Sequence, residues 1–172
     1  MIAACATYGV VNLDAEAVVA SSPDCRWQVK GNGDGRAVVV ARASGRAVYR
    51  FSVVHTARFY WLRDRKAAIV ELDPGPGEDG GLLALPLSPE RGGTVDIGRK
   101  ILPDLYRRSG FSAARSHPFF SYIRPGRVAV SLESETSGLP GRQSRCYVYA
   151  VGLSGRARFV GSRAVCGVSR RG

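Results

Sequence analysis

The side chains with the most chemical potential are four cysteines, at 5, 25, 146 and 166. Thiols at tetrahedral metal sites come in close C-x-x-C pairs, with histidines making up the set. No C-x-x-C occurs, and His55 and His117 are the only histidines, so no metal site is expected. An even number of cysteines grouped toward both chain ends points instead to two disulfides and an oxidising compartment. Four cysteines allow three connectivities. The local pairs Cys5–Cys25 and Cys146–Cys166 are favoured. Four unpaired buried thiols in a reducing compartment is the competing reading.

Catalytic arrangements are sparse. A hydrolase triad needs a nucleophile, a base and an orienting acid, but neither His55 nor His117 lies near a G-x-S-x-G elbow. Gly31-Asn32-Gly33-Asp34-Gly35 lacks the Lys-Ser/Thr of a phosphate loop and reads as a strand connection. Glu133-Ser134-Glu135 after an apolar strand, with Tyr49-Arg50 earlier, resembles part of the pattern of ADP-ribosylating toxins. In those proteins an early Arg and a Glu-x-Glu pair hold ribose and supply the catalytic acid. The Ser-Thr-Ser strand of that pattern is missing here, Glu-x-Glu alone is common by chance, and a solvated turn in which both glutamates face water is the favoured reading. The expectation is a protein with no catalytic site and no cofactor.

Aromatic residues are better candidates for recognition. Phe59, Tyr60 and Trp61 are consecutive, and Phe119, Phe120 and Tyr122 lie between Arg115 and Arg124. Successive strand residues point to opposite faces, so each run must send a ring away from any single core. Exposed aromatics beside Arg are enriched at interface hot spots. A sheet buried on both faces would instead take all of them inside.

These residues need a turn-rich scaffold, and 21 Gly and nine Pro supply the punctuation. Strands are expected near 8–13, 26–29, 37–41, 47–54, 56–61, 67–72, 82–87, 119–123, 127–132, 146–151 and 157–160. The run Ala67–Leu72 is short, apolar and bounded by turns, as a buried strand requires. One helix is expected over about 102–108, because Pro103 fits a first turn. The chain reads as a single domain, mostly β, an antiparallel meander of hairpins with disulfide-linked ends and C-terminal hairpins over 119–166.

Ser22-Pro23-Asp24-Cys25-Arg26-Trp27 and Trp61 through Val70 share a frame in which Asp24 and Asp64 precede a basic residue and a strand. The two Asp are forty residues apart, the period of a four-stranded propeller blade. Over residues 21–72 the chain resembles blade repeats of WD-repeat and Tol-system β-propeller proteins. The resemblance implies blade-like units over about 21–60 and 61–95, with each Asp capping a tight turn. Cys25 and Arg65 stand where those repeats carry Gly. A closed propeller needs at least four blades, so a partial, blade-derived meander is expected.

The formal net charge is +11, with Lys only at 30, 66 and 100. The basic residues are spread along the chain, whereas nucleic-acid domains concentrate them in a stripe. The reading is a periplasmic or secreted protein that binds another protein, such as a toxin or hydrolase, acting as an immunity or inhibitor protein that blocks its cleft. An anionic-polymer or nucleic-acid binder is the alternative, and a transferase using Glu133 and Glu135 comes third. Exposed sheet edges also suit a homodimer. Ile2-Ala3-Ala4-Cys5 resembles a lipoprotein cleavage site, which would make Cys5 a lipid anchor.

Overall fold

A computed structural model describes residues 5–12, 18–31, 33–62, 67–73, 79–87, 93–134 and 145–166. Thirteen antiparallel strands and one α-helix make up these residues, as the β-rich punctuation requires. The first sheet is a four-stranded meander of β2 (Val18–Ser21), β3 (Trp27–Gly31), β4 (Arg36–Ala41) and β5 (Ala47–Ser52). The middle sheet runs in the order β1 (Tyr8–Asn12), β6 (Thr56–Trp61), β7 (Ala67–Asp73), β8 (Gly81–Pro86) and β9 (Val95–Asp96). The third is a meander of β10 (Ser116–Arg124), β11 (Arg127–Ser134), β12 (Cys146–Val151) and β13 (Ala157–Arg163). Helix α1 (Ile97–Ser109) links the middle sheet to the third.

The period-two alternation of strands gives the middle sheet two apolar faces. Ala57, Phe59 and Trp61 of β6, Ala68 and Val70 of β7, and Leu85 of β8 pack against Val29, Val39 and Tyr49 of the first sheet. The intervening residues Ala67, Ile69, Leu82 and Ala84 face Ile97, Ile101 and Leu105 of α1, with Val130, Leu132 and Tyr149 of the third sheet. Five consecutive residues of β7, Ala67–Glu71, are therefore buried, as its apolar run predicts.

The turn Ser22–Trp27 forms as its residue types require. Asp24 accepts from the Ser22 hydroxyl at 2.5 Å and from the Arg26 N–H at 3.2 Å, and the Ser22 hydroxyl oxygen accepts from the Trp27 N–H at 3.0 Å. These bonds hold the Asp24 carboxyl below its ordinary range, the Ser22 bond foremost. Cys25 takes φ 58°, the left-handed conformation that favours Gly. The position thus keeps a glycine-like backbone with a cysteine on it, and the Sγ is bonded to Cys5. The matching Asp64 turn lies outside the described residues.

Both local cysteine pairs form, Cys5–Cys25 and Cys146–Cys166. With its sulfur in a disulfide, Cys5 has none to give to a lipid thioether, which corrects the expected anchor. Ahead of β1 the chain is held on two sides. The Ser21 N–H donates to the Ala6 carbonyl at 2.6 Å and the Trp61 N–H to the Thr7 carbonyl at 2.9 Å.

The helix starts earlier than near Leu102. Asp96 caps it, accepting from the Arg99 N–H at 2.8 Å, and this side-chain acceptor outweighs the preference of Pro103 for a first turn. Pro103 sits inside the helix on an exposed position. Gly110, at φ 72°, ends it by donating to the Tyr106 carbonyl. Strand β10 also begins three residues before the expected Phe119, because Ser116–Pro118 pair with Leu132–Ser134.

Replacing Asp24 with Ala is expected to cost about 1 kcal/mol, by analogy with a lost cap. Ile101→Ala, which empties a fully buried site between α1 and the middle sheet, should cost about 2–5 kcal/mol. Urea denaturation at constant m-value checks both.

Candidate functional site

The two aromatic runs meet where β10 crosses the middle sheet. Tyr60 lies between Tyr8 and Tyr122, with ring centroids 5.2 and 4.7 Å away. Tyr8 is opposite Tyr60 in the β1–β6 register, so one face of the sheet carries the row toward the third sheet. Tyr8 is 50% exposed at the outer end. Ile123, 43% exposed, and Arg124, also exposed, follow Tyr122 along β10.

An ionic group sits under the row. The Arg58 guanidinium donates to Glu71 at 2.8 Å and reaches Asp73 at 3.6 Å. The other oxygen of Glu71 accepts from the Tyr122 backbone N–H at 3.0 Å and, more weakly, from the Tyr60 hydroxyl at 3.5 Å. Glu71 is only 7% exposed. Its burial lifts the carboxyl above its ordinary value, against the pull of the Tyr122 N–H and Arg58. Burial also raises both tyrosines, with Tyr122 pushed up to about 12. The Tyr122 hydroxyl is buried without a hydrogen-bond partner among the described residues.

A recess of about 130 Å³ opens beside this group, lined by Arg58, Glu71 and Asp73 from the middle sheet and by Phe119, Phe120 and Ser121 of β10. The Gly80 N–H donates to the Pro118 carbonyl at 3.0 Å and ties β10 down at its rim. A Cβ at Gly80 would stand 2.8 Å from that carbonyl oxygen, so the close approach requires glycine.

The eight residues expected to bind a partner fall into three groups. Phe59, Trp61 and Phe120 are core residues, at most 5% exposed, because the sheets they belong to are covered on the faces they occupy. They have no surface to offer a partner. Tyr60, Phe119 and Tyr122 are half-buried around the ionic group, and Arg115 and Arg124 are exposed. Tyr8, Ile123, Glu71 and Arg58 join the site unanticipated. The Arg58–Glu71 pair had one visible signal, a carboxylate between the apolar residues Val70 and Leu72 of β7.

The residues weighed for catalysis are dispersed. Arg50 lies on the first sheet and Glu133 on the third, with the middle sheet between them, while Glu135 is outside the described residues. His117, on β10, pairs with Asp79 at 3.0 Å, and His55, in the bend before β6, contacts Thr56 at 3.3 Å. No group of three or more metal-ligating side chains forms among the described residues.

Comparison with protein-family models, curated proteins and solved structures gives no match. No helix among the described residues is long and apolar enough to cross a membrane.

Glu71 makes stability pH-dependent. The folded protein holds its proton more tightly than the unfolded chain, whose carboxyl titrates near 4.5. Stability from this group is full below that pH and falls as pH rises through the raised folded-state value. Glu71→Gln should remove that slope, seen as the difference between the two proteins' denaturation midpoints from pH 4 upward. A wild-type curve that instead gained stability over the variant across this window would refute the raised carboxyl. In the same region Phe120→Ala should cost about 3–5 kcal/mol as a core truncation. Tyr122→Phe, which deletes a hydroxyl with no partner, should be close to neutral.

Proposed function

We propose that this is a protein-binding protein of the periplasm or the secreted fraction, without catalysis of its own, that engages its partner at the border of the middle and third sheets. The observation that carries the reading is the row Tyr8–Tyr60–Tyr122, which ends in a half-exposed ring. Tyr8, Ile123 and Arg124 form the accessible part. Tyr60 and Tyr122 hold it from behind, in contact with the Glu71–Arg58 group. A ring fixed in this way loses little conformational freedom on binding, which favours aromatic and Arg anchors at interfaces. The two disulfides support the oxidising compartment. An immunity or inhibitor role, with this rim set into an enzyme's cleft, is the specific form of the reading. The blade-like character of residues 21–72 belongs to the same proposal, since the first sheet is a four-stranded meander.

The test is capture from the producing cell with tagged wild-type protein, followed by affinity measurement on the captured protein. Tyr8→Ala and Arg124→Ala should each weaken binding by about 2 kcal/mol or more, with melting temperature little changed. Asp24→Ala should alter binding only through its loss of stability. If the surface variants bind as wild type while Asp24→Ala does not, the interface is on the first sheet. If the protein captures only itself, the rim is a homodimer contact.

A further inference from the structure

We propose that a recess on the first sheet, between Arg36 and Arg50, binds a phosphate group. The recess measures about 260 Å³ and is lined by Arg36 and Val38 of β4 and by Arg50, Phe51 and Ser52 of β5. It is separate from the tyrosine row, which lies on the far face of the middle sheet, and it does not depend on the protein-binding reading.

Strand register explains why the cations converge. Arg36 is opposite Ser52, and Val38 is opposite both Arg50 and, on its other side, Lys30. Adjacent strands lie about 4.8 Å apart. Arg36, Arg50 and Lys30 thus surround Val38 on a single face, each within one or two strand spacings of it. Residues of the opposite parity, Val29, Ala37, Val39 and Tyr49, are buried in the first core, so the cations have no choice but to face outward.

The internal counter-charge is small. Elsewhere Arg58 is paired with Glu71 and Asp73, and Arg107 and Arg108 both contact Asp104. Here the one acid paired with these cations among the described residues is Asp34, 3.9 Å from Arg36, with both side chains more than half exposed. An exposed pair of that length is a weak competitor. Arg50 and Lys30 make no ion pair among the described residues.

The donor set selects phosphate over carboxylate. One guanidinium fork takes two of the roughly four lone-pair sites of a carboxylate, and a second fork fills the rest. Two forks from neighbouring strands, with the Ser52 hydroxyl beside them, present more donors than a carboxylate can accept, and a phosphate has the further oxygens to use them. The recess is several times the ~30 Å³ that one water occupies, leaving room for the group that carries the phosphate to lie on Val38.

The experiment measures binding at low salt of inorganic phosphate, a ten-residue single-stranded oligonucleotide and a ten-residue polyglutamate. Proteins compared are wild type, Arg36→Gln, Arg50→Gln and, as a control on the third sheet, the exposed Arg158→Gln. Circular dichroism verifies that each is folded. Phosphate or oligonucleotide binding that falls at least tenfold in Arg36→Gln and Arg50→Gln, and stays unchanged in Arg158→Gln, supports the site. Tight binding of inorganic phosphate identifies a small phosphorylated ligand. Binding of the oligonucleotide alone identifies a phosphodiester chain, and its affinity should fall with salt at a log–log slope of about −0.7 per phosphate contacted. The proposal is overturned if neither phosphate probe binds, if polyglutamate binds as tightly, or if Arg158→Gln weakens binding as much as Arg50→Gln.

Discussion

The middle sheet has no solvent face over most of its area, and the rest of the structure follows from that. A strand alternates its side chains strictly, so a sheet covered on both sides must supply two different cores from one sequence. Strand β7 does so by being apolar at every position from Ala67 to Val70. Strand β6 does so by alternating Ala57, Phe59 and Trp61 with Arg58 and Tyr60. The first sheet then needs only one apolar face, and its other face is left to carry Lys30, Arg36 and Arg50. The third sheet and α1 close the opposite side, where the second core is completed by Ile97, Ile101 and Leu105.

Where β10 reaches past that core, the middle sheet presents a carboxylate instead of a methyl group. Glu71 faces the strand edge, where the Tyr122 N–H would otherwise be an unpaired donor against a protein surface. A side-chain acceptor at this point replaces the neighbouring strand that an edge lacks. Arg58 compensates the charge this introduces. Polar satisfaction at one edge therefore accounts for the only buried acid among the described residues, and for the placement of the tyrosines packed around it.

Much of this was legible in residue types. The short apolar run at 67–72, the alternation at 56–61, the Pro-Asp turn at 23–24 and the local cysteine pairs each predict what is observed. What the chain does not announce is which strands share a sheet. Strand β1 pairs with β6, not with its neighbour β2, and no local pattern encodes a partner that far along the chain. The aromatic runs show the same limit. Alternation requires that Tyr60 leave the core of Phe59 and Trp61, yet only the packing of β10 reveals that a second core and a second tyrosine wait there. The helix starts from its cap Asp96 and not near Pro103 because a capping acceptor decides more than a proline that an exposed helix position tolerates.

The position of β1 also bears on the order in which the molecule can assemble. This strand precedes the other described strands, but its place in the sheet does not exist until β6 has been added, with the whole first sheet intervening. Bringing Tyr8 to Tyr60 is a long-range closure, slow in proportion to the chain entropy it removes. The Cys5–Cys25 bond shortens that search, because it fastens the incoming segment to a turn that forms from neighbouring residues. Oxidation early in folding would hold the N-terminal strand beside the growing sheet, whereas in a reducing environment it must find β6 unaided.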